Sequence, residues 1–128
     1  MVKVSEVAFV GYPVTDVPRA RAFYENVLGL KCSTAFGEGW IEYDIGACTL
    51  AVVKSSDLWK PSADGPAVAL EVEDFDAAIA TLKAVGSKFI LEPMDSPVCR
   101  IAVVQDPDGN GIAIHQRKAN AGSIEHPA

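Results

Sequence analysis

Apolar residues in this chain recur at two spacings, about 3.6 and about two, and the succession of the two is written out twice. After Val14-Thr15-Asp16, the residues Val17, Ala20, Phe23, Tyr24, Val27 and Leu28 recur at helical spacing and stop at Gly29. Asp16 is expected to cap the helix start, because its side chain can accept from a backbone N–H that the first turn leaves unpaired. Pro18 falls in that first turn, where its missing N–H does no harm, and Gly29 suits the left-handed residue just past a helix end. Val72-Glu73-Asp74 repeats the arrangement, with Phe75, Ala78, Ile79, Leu82 and Val85 as the stripe and Gly86 closing it.

Short runs with strand character surround each predicted helix. Residues 7–14 and 67–72 precede the helices, residues 31–36, 40–45 and 49–54 follow the first, and residues 89–91, 100–105 and 112–117 follow the second. The predicted order is β-α-β-β-β twice, an α+β fold in one domain of residues 1–118. Module one covers 5–54, a linker 55–66 and module two 67–118. The linker carries two prolines with Ser, Asp and Gly, yet Trp59 sits in its middle and is expected to pack on something. Residues 119–128 lack periodicity and read as a flexible tail, with no role for His126. One helix laid on each sheet leaves the opposite sheet face free.

The turn Asp106-Pro107-Asp108-Gly109-Asn110 supplies residues tolerant of positive φ and explains a tight reversal into the last strand. Together with Val14-Thr15-Asp16, the run Arg21-Ala22-Phe23-Tyr24-Glu25-Asn26-Val27-Leu28-Gly29-Leu30 and Val72-Glu73-Asp74, it resembles the vicinal oxygen chelate superfamily of glyoxalases, bleomycin-resistance proteins and extradiol dioxygenases. The resemblance covers about 115 residues of the chain. It implies two modules forming a curved sheet around a cleft, with helices outside. In metal-dependent members, His, Glu or Gln from the first and last strands of the modules hold a divalent ion whose open positions take the substrate. On this chain those positions correspond to Phe9, Ala51, Ala67 and Ala113, and none of the four can bind a metal. The pattern is similar to the metal-free, bleomycin-resistance branch, which implies a homodimer with the cleft at or near the subunit interface, a small-molecule ligand and no cofactor.

Strand alternation divides the side chains between helix and cleft. Val68, Leu70 and Val72 are expected to pack on a helix, as are Ile112 and Ile114, and Ile41, Tyr43 and Ile45. The cleft side receives Phe9, Gly11 and Pro13; Trp40, Glu42 and Asp44; Ala67, Ala69 and Glu71; and Ala113 with His115. A mostly apolar lining with Glu42, Glu71, His115 and Arg100 as orienting polar groups is the usual make-up of a small-molecule site. Ala51, Trp40 and Phe9 complete the expected ligand-binding set. His115 beside a carboxylate is also a candidate general base. Glu25, Glu92 and Asp95 read as solvated surface charges.

Composition narrows the classes. The 128 residues are 49% apolar and carry a net charge of −6, with no Lys/Arg block to release counterions from nucleic acid. No apolar run reaches the roughly 20 residues of a membrane span, and the N-terminus lacks a basic-then-apolar leader, so a soluble, cytoplasmic protein is expected. Cys32, Cys48 and Cys99 are scattered, without a C-x-x-C pair, and read as incidental thiols. Three functions fit. One is a metal-free binder of an apolar or aromatic molecule. Another is an enzyme of lyase, isomerase or dioxygenase type, using Glu42, Glu71 and His115 as unusual metal ligands or moving a proton without metal. The third is a partner module whose cleft is closed by Phe9 and Trp40.

Overall fold

The computed structural model describes residues 1–118, and the expected tail lies outside them. The chain divides into two compact units, Met1–Pro61 and Ser62–Ala128. The first contains β1 (Val10–Val14), α1 (Val17–Arg21) with a wider helical continuation over Ala22–Val27, β2 (Cys32–Phe36), β3 (Trp40–Ile45) and β4 (Cys48–Lys54). The second contains β5 (Val68–Glu71), α2 (Phe75–Ala84), β6 (Phe89–Asp95), β7 (Cys99–Gln105) and β8 (Gly111–Arg117). Both sheets have one topology: β1-β4-β3-β2 in the first and β5-β8-β7-β6 in the second, with the first strand parallel to the last. The duplication read from the sequence is therefore a duplication of structure.

Each helix begins as the sequence dictates. The Asp16 carboxylate accepts from Arg19 N at 3.0 Å and the Asp74 carboxylate from Ala77 N at 3.0 Å. Gly29 and Gly86, at φ 74° and 77°, end the two helical segments in the left-handed region, which a Cβ disfavours. In α2, Phe75, Ile79 and Leu82 are buried at the spacing of one helical face.

The first helix departs from α geometry after Arg21. Leu28 N donates to Phe23 O at 3.0 Å, a five-residue reach that defines a π-type turn. The wider turn brings successive side chains closer in direction, and both Phe23 and Tyr24 are buried. Tyr24 stacks on Tyr43 of β3 with ring centroids 6.2 Å apart. Tyr43 is fully buried, and its hydroxyl donates to Glu25 Oε2 at 2.8 Å while Arg21 Nε donates to the same oxygen at 2.6 Å. The expectation that Glu25 is a solvated charge is thus corrected: a buried phenol requires an acceptor, and Glu25 supplies it. The Arg21 guanidinium, opposed by desolvation and helped by the Tyr43 hydroxyl, holds the Glu25 carboxyl below its ordinary value.

Two strand boundaries move. Pairing in β1 starts at Val10, not at residue 7. Strand β6 runs on to Asp95 through Pro93, which is tolerated because β6 is an edge strand with irregular register between Leu91 and Met94. The three thiols are free, Cys32 exposed and the other two half-buried. Among the described residues no helix is long and apolar enough to cross a membrane.

Candidate functional site on the helix-free sheet faces

Register fixes what each free face presents. Across the first sheet, Gly11 pairs with Ala51, Ala51 with Glu42 and Glu42 with Thr34. The next row is Pro13, Val53, Trp40 and Phe36. Glu42 and Trp40, two residues apart and therefore on one face, are joined by a bond from Trp40 Nε1 to Glu42 Oε2 of 2.8 Å.

Three aromatic rings meet on this face. Phe9 meets Trp40 edge-on with centroids 5.3 Å apart, and Trp40 lies 6.4 Å from Trp59. Trp59 is held in a tight turn by reciprocal backbone bonds with Ser56. A Cβ placed on Gly11 would lie 2.3 Å from the Trp59 ring, so glycine there makes room for the indole. Phe9 remains 40% exposed, Trp40 and Trp59 are half-buried, and Ala51 is fully buried.

The second sheet's free face is a floor of small and aliphatic residues ending in a polar pair. Ala69, Ala113, Val103 and Leu91 form one register row, and Glu71, His115, Ile101 and Met94 the next. Ala67, with Ile90 and Val103, lies within about 4 Å of where a Cβ on Gly111 would stand. His115 Nδ1 is 2.5 Å from Glu71 Oε1, and the other Glu71 oxygen accepts from Arg117 N at 2.7 Å. Partial burial pushes the Glu71 carboxyl up, but the Arg117 N–H and the His115 ring outweigh it, so its pKa falls below the ordinary value.

Arg100 is not on this face. Its guanidinium pairs with Asp76 of α2 at 2.8 Å and lies 4.6 Å from the centre of the Phe75 ring, so the expectation that it orients a ligand there is corrected. Its strand parity matches buried Ala102 and Val104, and that parity already pointed to the helix side. Glu92 and Asp95 are surface charges as expected, paired with Lys83 and Lys118.

Phe9, Ala51, Ala67 and Ala113 carry no side-chain donor atoms and do not fit a divalent ion. Among the described residues no group of three or more His, Cys, Asp or Glu side chains converges to hold one. A feature the sequence did not suggest is an open groove of about 640 Å³ between the start of α1 and the β2–β3 hairpin, lined by Asp16, Arg21, Glu38 and Lys54 among others. Asp16 and Arg21 there already serve the helix cap and Glu25. Only the Gly37-Glu38-Gly39 hairpin facing a helix start could have hinted at it.

The model of the Glyoxalase/Bleomycin resistance protein/Dioxygenase superfamily matches residues 6–114. The chain belongs to that superfamily. A protein of Mycolicibacterium smegmatis (strain ATCC 700084 / mc(2)155), described as uncharacterized, is 32% identical over 110 residues, 86% of this chain and 92% of that one. Among solved structures, TnmS3, an antibiotic binding protein from Streptomyces sp. CB03234, is 26% identical with a TM-score of 0.74, covering 92% of this chain and all of its own. A putative glyoxalase family protein from Bacillus anthracis has a TM-score of 0.74 at 20% identity, over 92% of this chain and 99% of that one, and supports the fold alone. The α+β reading and the superfamily resemblance are thus both correct.

Proposed function

We propose that this protein holds an apolar or aromatic small molecule on its helix-free sheet faces without the aid of a metal ion. The observation that carries the reading is the contact of Phe9, Trp40 and Trp59 on the free face of the first sheet. Planar rings stack on such side chains, gaining about 0.5–1.5 kcal/mol per aromatic pair beyond the burial of area. Phe9, Trp40 and Glu42 are the proposed contacts on the first sheet, with buried Ala51 beneath them. Ala67, Glu71, Ala113 and His115 are those on the second. Superfamily membership and the antibiotic-binding neighbour support the reading.

The metal-free part rests on the hydrocarbon at the four positions where the resemblance places ligands. A chelator is expected to leave both melting temperature and ligand affinity unchanged. A cytoplasmic homodimer is the proposed form, by similarity to the bleomycin-resistance branch, and sedimentation velocity tests the dimer.

Titration of tryptophan emission with planar aromatic antibiotics, confirmed by calorimetry, is the direct test. Quenching with saturation supports the proposal, and silence across a broad library overturns it. A second reading, a partner module with a closed face, draws on Trp59 standing over Gly11. It predicts that same silence, together with an indole emission that small molecules leave unmoved.

A further inference from the structure

We propose that the Glu71–His115 pair anchors an ionisable hydroxyl, phenolic or enolic, on the molecule that this protein binds. The inference rests on the small-molecule reading above and adds the chemical class of the group recognised.

The argument starts from what each atom can do. An ionised carboxylate only accepts hydrogen bonds, and both Glu71 oxygens are engaged, Oε1 by His115 Nδ1 at 2.5 Å and Oε2 by Arg117 N at 2.7 Å. The proton on the imidazole therefore sits on Nδ1, and a neutral ring then presents Nε2 as an acceptor. Among the described residues, Nε2 makes no hydrogen bond, and the His115 side chain keeps 22% of its surface. Parallel pairing of β5 with β8 sets Glu71 directly beside His115, so the ring is aimed by the sheet and not by a flexible loop.

What lies next to Nε2 selects the rest of the ligand. The same register row continues through Ile101 to Met94, which is 54% exposed, and the adjacent row holds Ala113 and Val103. An apolar ring laid on that floor would bring a hydroxyl at its rim to the imidazole. An ether at the same place has no proton to donate, and a carboxylate would meet the like charge of Glu71.

The test compares 2-naphthol with 2-methoxynaphthalene by calorimetry on the full chain, wild type and His115→Phe. The expected result is a preference for the naphthol of about tenfold, abolished by His115→Phe while affinity for the methyl ether is kept. Equal binding of both probes by the wild type overturns the anchor and leaves the small-molecule reading standing. Binding of neither probe overturns both for this face. Glu71 acts through His115, and its readout is the imidazole ¹⁵N spectrum. The wild type should show the Nδ1–H form with an Nε2 resonance that moves on adding 2-naphthol, and Glu71→Gln should mix the tautomers. An Nε2 resonance that ignores 2-naphthol overturns the proposal even if His115→Phe fails to fold.

Discussion

The ring of Trp59 stands where a side chain at Gly11 would stand, 2.3 Å from the position of its Cβ. Gly11 is paired within β1 and the next nearest atom, on Phe9, lies at an ordinary 3.5 Å, so alanine there is opposed only by the indole. Gly11→Ala should destabilise by about 1–3 kcal/mol through overpacking and red-shift the tryptophan emission. In a Trp59→Ala background the same substitution should be neutral or slightly stabilising, because a strand glycine carries excess unfolded-state entropy. Urea denaturation of the four proteins of that cycle checks the coupling. Independent, additive effects would show that the indole does not rest on Gly11.

The bond between Tyr43 and Glu25 links stability to alkaline pH. Burial, then the Glu25 carboxylate, pushes the Tyr43 hydroxyl well above its ordinary value of 10.0. Its folded pKa is raised, so the stabilisation is complete below pH 10 and declines as pH rises toward the folded value. Tyr43→Phe should lose about 0.5–1.5 kcal/mol at neutral pH and show a shallower alkaline loss than wild type. Melting temperatures between pH 7 and about 11 decide it.

Glu71 acts at the other end of the scale. Its folded pKa lies below the ordinary 4.5, so its contribution is present above that value and disappears as pH falls through the folded one. The side chain is half exposed, and the effect is small and screened by salt. Glu71→Gln should lower the neutral plateau slightly and, by that same small amount, flatten the acid limb of stability below about pH 5 in low salt. An unchanged acid limb would place the wild-type slope on other carboxylates.

Asp106 organises the turn before β8. Its carboxylate accepts from Asp108 N at 2.8 Å, Asn110 N at 2.9 Å and Asn110 Nδ2 at 2.9 Å, and both Asp106 and Asn110 are buried. Asp106→Ala strands those donors and should cost about 2–4 kcal/mol, and Asp106→Asn, which keeps one acceptor oxygen, should recover part of that loss. Chemical denaturation of both variants checks the order of stabilities.

The element pattern was legible because its signals are local. Asp16, Asp74, Gly29 and Gly86 each act within a turn of their own position, and strand alternation correctly put Trp40 with Glu42 and Glu71 with His115 on one face. What escaped depends on partners distant in the chain. Glu25 looks solvated until Tyr43, 18 residues on, is folded against it. Trp59 had no visible target because its target is an empty space, the missing side chain of Gly11. The π-type turn left no mark, since the same apolar positions suit either helical winding. The strand expected over residues 89–91 runs on to Asp95, because an edge strand accommodates Pro93. Arg100 was misplaced by its charge, although its place in β7 assigned it to the helix side.

Trp59 also marks the seam of the duplicated gene product. A split at the end of β4, where the repeat of sequence pattern stops, would strip the first half of the residue that covers its own glycine. On the other side, Ser62 N donates to Asn110 Oδ1 at 3.0 Å, fastening the start of the second half to its last turn. Any dissection or circular rearrangement of the chain should therefore divide it between Pro61 and Ser62, leaving each fragment in possession of the contacts that finish it.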